Sequence, residues 1–447
     1  MSPKRRNHRS SHRAIETHAI RDTDLPKTTR PYASTAGDIS EHSTVVPVYG
    51  RQVAGFRNWQ AGLIILLVVP FFILYLMTTS KSVPPGDSGE LIAAAWNLGV
   101  AHPPGYPTFT MLSHIAGLFP VGTPAFRMNL LSALLDSLAL GVLGFGALRL
   151  LQAKSSTFIT RFDKIIPITG VIGGVGLLGV STAFWQYSNV AEVFALNNLL
   201  SALTIMFMLE WVRRPTRGCL LWLSSFCAGL ALTNQLTVVL LAPGLLSMLV
   251  AGILRWRREM RSSSDEQRLR KEGKGPGWQL RDMAIAAGIL VLALLPYIYL
   301  PLAARADPPI NFGDPNTFNN FWRVVMRSDY GTFSLVAGGV QGDRFQQLFF
   351  LGRYFVQSFT PAGIILAILG IVWFARKQQL EGIGLGLSFL FSGPLFAVFA
   401  NFQLNDPITQ GVFERFYILP SLPLAFFVAA GITFVIETMR RIIAKNR

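Results

Sequence analysis

About ten stretches of this chain are apolar over enough residues to cross a hydrocarbon core, a pattern no soluble fold accommodates. They lie near 61–79, 129–150, 165–184, 193–212, 218–235, 236–254, 283–303, 351–375, 382–400 and 416–438. Lipid offers no hydrogen bonds, so every backbone N–H and C=O there needs a partner within the protein. Only helices and closed barrels meet that demand, and windows of this length are helical. The sequence therefore specifies an all-α polytopic membrane bundle of about ten transmembrane helices, a multi-pass membrane protein surrounded by membrane lipids. Composition agrees, with 51% of the residues hydrophobic and 14% charged.

The net charge of +16 invites a nucleic-acid reading, but its location argues otherwise. With both termini cytoplasmic, most of the 40 Lys and Arg fall on the inner segments 1–60, 151–164, 213–217, 255–282, 376–380 and 439–447. The opposite topology would strand them outside. The charge marks orientation and attraction to anionic inner-leaflet lipid, and no nucleic-acid partner is expected. Residues 1–58 are polar and basic without hydrophobic periodicity, which predicts a disordered cytoplasmic tail. Residues 59–442 form one transmembrane domain. It has large outer loops at about 80–128, 304–350 and 401–415 and a charged inner loop at about 255–282. Cys219 and Cys227, eight residues apart on one helix, lie about 12 Å from each other, too far for a disulfide.

Outer loop one holds residues that lipid would reject: Pro84-Pro85-Gly86-Asp87-Ser88-Gly89-Glu90, then His102-Pro103-Pro104-Gly105-Tyr106-Pro107. Short helices are expected at Ser88–Leu98 and Thr108–Phe119. The i, i+3 spacing puts Asp87 and Glu90 on one helical face. Two readings remain open. Asp-x-x-Glu at a helix start is a capping arrangement. Carboxylates at a bilayer surface are also where partial desolvation suits one for base work. His102 and Tyr106 sit in a Pro/Gly corner, either as turn residues or as a rigid wall for a substrate. Arg127, at the outer mouth of the second span, reads as a snorkelling side chain. Glu192 reads as an ordinary loop acid, and Asp136, inside a span, either pairs with a polar neighbour or marks a cavity.

Arg323, Arg327, Arg344, Arg353 and Arg415 put positive charge on the outer side, where planar guanidinium forks suit phosphate. The competing account is salt bridging to Asp329, Asp343 or Glu414. Arg415 is the preferred exception, because it stands where the last outer loop re-enters the membrane. No His, Cys, Asp or Glu grouping has metal-ligand spacing, so neither metal nor cofactor is expected.

The run from Gly86 to Leu91 and on through Ala101-His102-Pro103-Pro104-Gly105-Tyr106-Pro107 resembles the signature of a family of membrane proteins long described only as a domain of unknown function. That family includes an animal endoplasmic-reticulum O-mannosyltransferase of plexins and receptor kinases. Further matches are Arg127-x-Asn129-Leu130-Leu131-Ser132, Glu192-Val193-Phe194-x-Leu196-Asn197, Gly229-Leu230-x-Leu232-Thr233-Asn234-Gln235, Leu295-Pro296-Tyr297-x-Tyr299-Leu300-Pro301, Phe312-Gly313-Asp314, Tyr330-Gly331-Thr332 and Glu414-Arg415-Phe416. The family is similar to GT-C glycosyltransferases, helical membrane enzymes that use polyprenyl-phosphate sugars.

The resemblance implies Asp87 as base and Glu90 as a second acid that positions the acceptor or shares its proton. It places Arg127 and Arg415 near the donor phosphate, with His102, Tyr106, Glu192, Arg327 and Glu414 as further candidates for substrate or donor binding. The implied partners are a polyprenyl-phosphate sugar and a protein or glycan acceptor, met on the non-cytoplasmic side of an endoplasmic-reticulum or bacterial plasma membrane. The animal protein carries an additional soluble repeat domain, so its acceptor specificity does not transfer. The rival function is a transporter or flippase for a lipid-linked sugar, which predicts pseudo-repeats and broken charged helices at mid-membrane. A non-catalytic scaffold predicts a closed first loop with no cavity beside Asp87. Reporters fused at Met1 and Arg447 should both be shielded from an impermeant reagent applied to the non-cytoplasmic face; labelling of either from that face breaks the topology.

Overall fold

The computed structural model describes residues 58–152, 161–261, 267, 278–329, 342–400 and 403–446. The expected tail at 1–57, most of the inner loop between 262 and 277, and the Tyr330-Gly331-Thr332 match lie outside the described residues. Among the described residues the regular structure is helical. The helix α1 (Asn58–Thr78) crosses first, with Pro70 inside it. The short α2 (Ser88–Trp96) and α3 (Pro107–Gly117) occupy outer loop one, close to their expected positions. The long α4 (Pro124–Gln152) returns.

The third window is not a straight rod. Its helices α5 (Arg161–Gly179) and α6 (Thr182–Ser188) meet at an angle of 69°. Beyond them, α7 (Val193–Arg213) is full length, whereas α8 (Gly218–Leu232) has only 15 residues. The remaining spans are α9 (Ala242–Met260) with its preceding turn and α10 (Trp278–Leu292) continued by α11 (Tyr299–Arg305). The amphipathic α12 (Phe318–Val325) follows in the outer loop. Next come α13 (Arg344–Lys377), α14 (Gln379–Leu390), α15 (Phe396–Ala400), α16 (Pro407–Glu414) and α17 (Ile418–Lys445). Among the described residues, eight segments are long and apolar enough to cross a membrane, and the bent pair, taken as one span, makes a ninth. The expected count of ten stands as an approximation, since the window at 218–235 became the short α8.

At 34 residues α13 would be about 51 Å long if straight, well beyond a hydrocarbon core. It kinks at Thr360, where φ is +62° and Pro361 follows. Proline disfavours helical geometry at the residue before it, and the break falls at that residue. The outer part of α13 starts on Asp343, whose carboxylate accepts a bond from the Phe345 N–H at 2.9 Å.

Within lipid, helices associate by close packing more than by a hydrophobic drive, and small residues set how near two backbones approach. The first half of α17 is buried almost continuously, from Ile418 to Gly431, between α5 and α13. Gly370 of α13 lies against the Phe427 carbonyl, and Gly431 of α17 lies against the Leu366 carbonyl. A side chain at either position would strike backbone.

Polar groups inside the bundle are partnered across helices. Asp136 of α4 accepts from Ser188 Oγ and from Asn198 Nδ2, both at 2.9 Å. It is therefore a pin between α4, α6 and α7. At the opposite end from outer loop one, Glu210 accepts from Arg149 Nε at 2.9 Å and Arg213 Nη1 at 2.7 Å. Arg255 reaches Glu381 at 3.0 Å. The basic clusters read as topology markers thus also lock that end of the helices.

Outer loops one and four are strapped together. Val100 donates to the Ile310 carbonyl at 2.8 Å and accepts from the Phe312 N–H at 3.0 Å. Beneath this bridge Val100, Leu300, Ala303, Ala304, Val324 and Val325 form a small core of their own. Replacing Gly370 or Gly431 with Val should cost about 1–3 kcal/mol, as overpacking does. Gly288→Val, at a position where a β-carbon meets nothing within 4 Å, should be far milder. Thermal melting in detergent checks both, and equal melting of all three variants refutes the packing account.

Candidate active site

The segment before α2 turns at Gly86, whose φ is +92°, and delivers Asp87 to the start of the helix. Asp87 already has helical backbone angles, φ −70° and ψ −16°, and its carboxylate makes no bond to the helix N–H groups. The capping reading is therefore corrected. A capping residue needs extended backbone to fold its side chain over the first turn, and this one points away. Asp87 Oδ2 instead lies 2.7 Å from Arg415 Nη1, more than three hundred residues later in the chain. Glu90 does not reach back either. Its Oε1 accepts from the His102 N–H at 2.6 Å, and its Oε2 lies 2.9 Å from His102 Nδ1.

The His-Pro-Pro-Gly-Tyr-Pro corner serves as both turn and wall. Gly105 N–H donates to the His102 carbonyl at 2.9 Å, closing a tight turn. Gly105 needs its φ of +89°, and a β-carbon there would press on Leu300. The turn swings the Tyr106 hydroxyl to 3.0 Å from His102 Nε2. Burial pushes the Tyr106 phenol above its ordinary pKa, against the pull of Arg327 and Arg415, so it keeps its proton.

Arg415 sits between aromatic faces, 5.5 Å from the Phe194 ring and 5.6 Å from Phe416. Its Nη1 lies 3.8 Å from Glu192 Oε1, so one guanidinium faces two carboxylates. Glu192 is the residue before α7. Burial pushes its carboxyl up from 4.5 to about 8, Arg415 opposes this, and the nearby Asp87 and Glu90 add to it. Asn129 of α4 fixes the approach to Glu192. Its side-chain oxygen accepts from the Ala191 N–H at 2.8 Å, and its Nδ2 donates to the Ser80 carbonyl at 2.8 Å and the Ser82 carbonyl at 3.0 Å.

These groups open onto a cavity of about 280 Å³, close to the lower bound for small-molecule sites. Asp87, Glu90, His102, Tyr106, Glu192, Arg327 and Arg415 all line it. Two sequence candidates do not. Arg127 is spent on backbone, donating to the carbonyls of Gly117 at 2.5 Å, Val121 at 2.8 Å and Gly122 at 2.8 Å. It ties α3 to α4. Glu414 ends α16 half-buried, outside the lining.

Arg323 forms the expected exposed salt bridge with Asp329, at 2.7 Å. Asp314 organises its own loop, its carboxylate receiving Asn311 at 3.2 Å and Asn316 at 2.8 Å. Sequence reasoning missed Phe194, Phe416, Gln235 and Phe312 as lining residues. The first two adjoin Glu192 and Arg415 in sequence, but an aromatic beside a charge is no signal by itself. Among the described residues no group of three or more His, Cys, Asp or Glu is placed to hold a metal ion.

Residues 87–268 match the family described as the protein O-mannosyl-transferase TMEM260 N-terminal domain. Among curated proteins, the chain is 33% identical over 409 residues to the mouse protein O-mannosyl-transferase TMEM260, covering 88% of this chain and 53% of that one. To the Dictyostelium discoideum protein of the same description it is 25% identical over 404 residues, covering 85% of this chain and 45% of the relative. The chain thus spans about half the length of the curated relatives it matches. In structure it is similar to ArnT from Cupriavidus metallidurans, crystallised bound to undecaprenyl phosphate, with a TM-score of 0.52 at 15% identity over 83% of this chain and 60% of that chain. The apo form of the same protein gives 0.50. The resemblance read from the first-loop motif and the GT-C-like helical fold it implied are both borne out.

A carboxyl with a raised folded-state pKa contributes stability fully present below its unfolded pKa and lost as pH rises through the folded one. For Glu192 that window runs from 4.5 to about 8. The wild-type melting temperature should fall across it, and Glu192→Gln should flatten the fall. An unchanged slope in the variant rejects the raised carboxyl.

Proposed function

Starting from a chain whose residues 87–268 match the TMEM260 N-terminal domain, we propose that it is an integral membrane glycosyltransferase. It moves a sugar, mannose by likeness to the names of its relatives, from a polyprenyl phosphate to an acceptor hydroxyl on the non-cytoplasmic side. The acceptor is a protein Ser or Thr, and both termini stay in the cytoplasm of an endoplasmic-reticulum or bacterial plasma membrane. The observation that carries this reading is the Asp87 carboxylate held 2.7 Å from the Arg415 guanidinium on the wall of a sugar-sized cavity.

Arg415 is the phosphate site. Its guanidinium is oriented by two aromatic rings, and its charge is met by Asp87. A donor phosphate competes for the same N–H groups and draws Arg415 off Asp87. The carboxylate is then free to accept a proton. Glu192, neutral below about 8, adds little negative charge against the incoming phosphate.

The acceptor oxygen attacks the anomeric carbon as its proton passes to Asp87. The bond from that carbon to the phosphate oxygen breaks, and the electron pair leaves on the phosphate beside Arg415. Attack opposite the leaving group inverts the anomeric centre. The lipid-linked sugar phosphate is itself the donor substrate, and the reaction as written uses no resident cofactor.

The likeness to ArnT, which was crystallised with a polyprenyl phosphate, supports the donor class. A flippase is supported less well. The buried Asp136 is tied to Ser188 and Asn198, and the charged groups facing the cavity gather at one end of the bundle. The cavity beside Asp87 also counts against a scaffold. Asp87→Asn should lower kcat for sugar transfer in membranes by about 10²–10⁴-fold, the usual contribution of a general base. Full turnover in both Asp87→Asn and Glu90→Gln removes the proposed chemistry.

A further inference from the structure

We propose that Glu90, His102 and Tyr106 form one hydrogen-bonded chain that holds the Tyr106 oxygen as an acceptor for a hydroxyl of the donor sugar. This rests on the glycosyltransferase reading and deepens it, because it makes Glu90 a positioning residue rather than a second base.

The chain is read from its fixed end. The His102 backbone N–H can only donate, and it donates to Glu90 Oε1 at 2.6 Å. An ionised carboxylate accepts at both oxygens, so Oε2, 2.9 Å from His102 Nδ1, takes a proton bond from that ring nitrogen. With the imidazole in its neutral tautomer and its one proton on Nδ1, Nε2 is bare. The Tyr106 hydroxyl, 3.0 Å away, must then donate to it. Its only proton is committed inside the wall, and what Tyr106 offers the cavity is a lone pair. An acceptor fixed in this way recognises O–H or N–H donors and discriminates against groups that lack them.

Geometry selects the donor sugar as the group that is read. The phosphate lies at Arg415, against Asp87, and the sugar is bonded to that phosphate. Arg415, Glu90, His102 and Tyr106 line the same cavity of about 280 Å³, so a ring bonded to a phosphate at Arg415 lies beside the wall formed by Glu90, His102 and Tyr106. The wall is rigid. His102 and Gly105 close a turn, Tyr106 N-caps α3 with a φ of +44°, and the two rings meet edge to face at 5.1 Å. Movement of Glu90 would therefore be felt at Tyr106, which is how a carboxylate remote from the anomeric carbon influences the reaction.

The test is equilibrium binding to the purified full chain in detergent with two probes, bare polyprenyl phosphate and polyprenyl-phosphate mannose. Tyr106→Phe removes only the hydroxyl. It should weaken the sugar-bearing lipid by about 5- to 100-fold, as an unpaired substrate hydroxyl does, and leave the bare phosphate within twofold. Glu90→Gln and His102→Ala should reproduce that selective loss, and neither should add to it on the Tyr106→Phe background. His102→Gln, whose side-chain oxygen can still accept from Tyr106, should recover part of it. In turnover the same variants should raise KM for the donor more than they lower kcat.

Equal weakening of both lipids, no weakening of either, or a Glu90→Gln loss that adds to that of Tyr106→Phe overturns the proposal. A wild-type chain that binds neither lipid overturns the donor reading beneath it, and the proposal falls with it. Selective binding loss in Tyr106→Phe together with full turnover in Asp87→Asn separates the two, sinking the base assignment alone.

Discussion

A single guanidinium facing two carboxylates, nearly out of water, is the interaction on which the rest of this site depends. Arg415 meets Asp87 at 2.7 Å and Glu192 at 3.8 Å. Three groups cannot all be charged and satisfied in so dry a place, and they divide the work by burial. Glu192, the most enclosed, is driven toward its neutral form. Asp87, at the cavity mouth with about a third of its side chain exposed, takes the close ion pair. In the proposed reaction a donor phosphate competes with Asp87 for the Arg415 guanidinium, which is why the close ion pair falls to the more exposed acid.

Holding that geometry is the task of the polar residues along α4. Asn129 and Asp136, two turns apart, bind the segment from Ala191 to Asn198 from opposite sides of Glu192. Asn129 also holds the carbonyls of Ser80 and Ser82, just ahead of Asp87. One helix thereby spaces the two acids that share Arg415. Individual hydrogen bonds between membrane helices contribute only about 0.6 kcal/mol on average, so these contacts position more than they stabilise. Cohesion comes from the close approach of backbones at Gly370 and Gly431, at a distance from the site. Stability and positioning are thus largely separate here.

Local sequence and tertiary structure disagree most instructively at Asp87-x-x-Glu90. In isolation the spacing favours a capping box, and a helix does start there. The carboxylates do something else because stronger partners arrive from elsewhere: a cation from the last outer loop for Asp87, and a ring and an N–H from twelve residues on for Glu90. Arg127 shows the converse. The family resemblance placed it near a phosphate, but three carbonyls at the α3–α4 turn lie within its reach and consume it.

The sequence by itself determined whatever depends on the medium and on local chemistry. Apolar windows specify helices because lipid leaves the backbone no other partner, and the Pro/Gly corner at 102–107 specifies a turn because few other residues tolerate its angles. The chemical types at the site, two acids in loop one and an arginine at the last re-entry, were legible for the same reason: polar groups beside lipid need a purpose. Only the tertiary structure decided their partnerships. Whether Arg415 meets Asp87, Glu192 or neither depends on how α7 and α17 bring residues from opposite ends of the chain to one point. That convergence is set by small side chains and buried pins whose effect is visible only after the helices have packed.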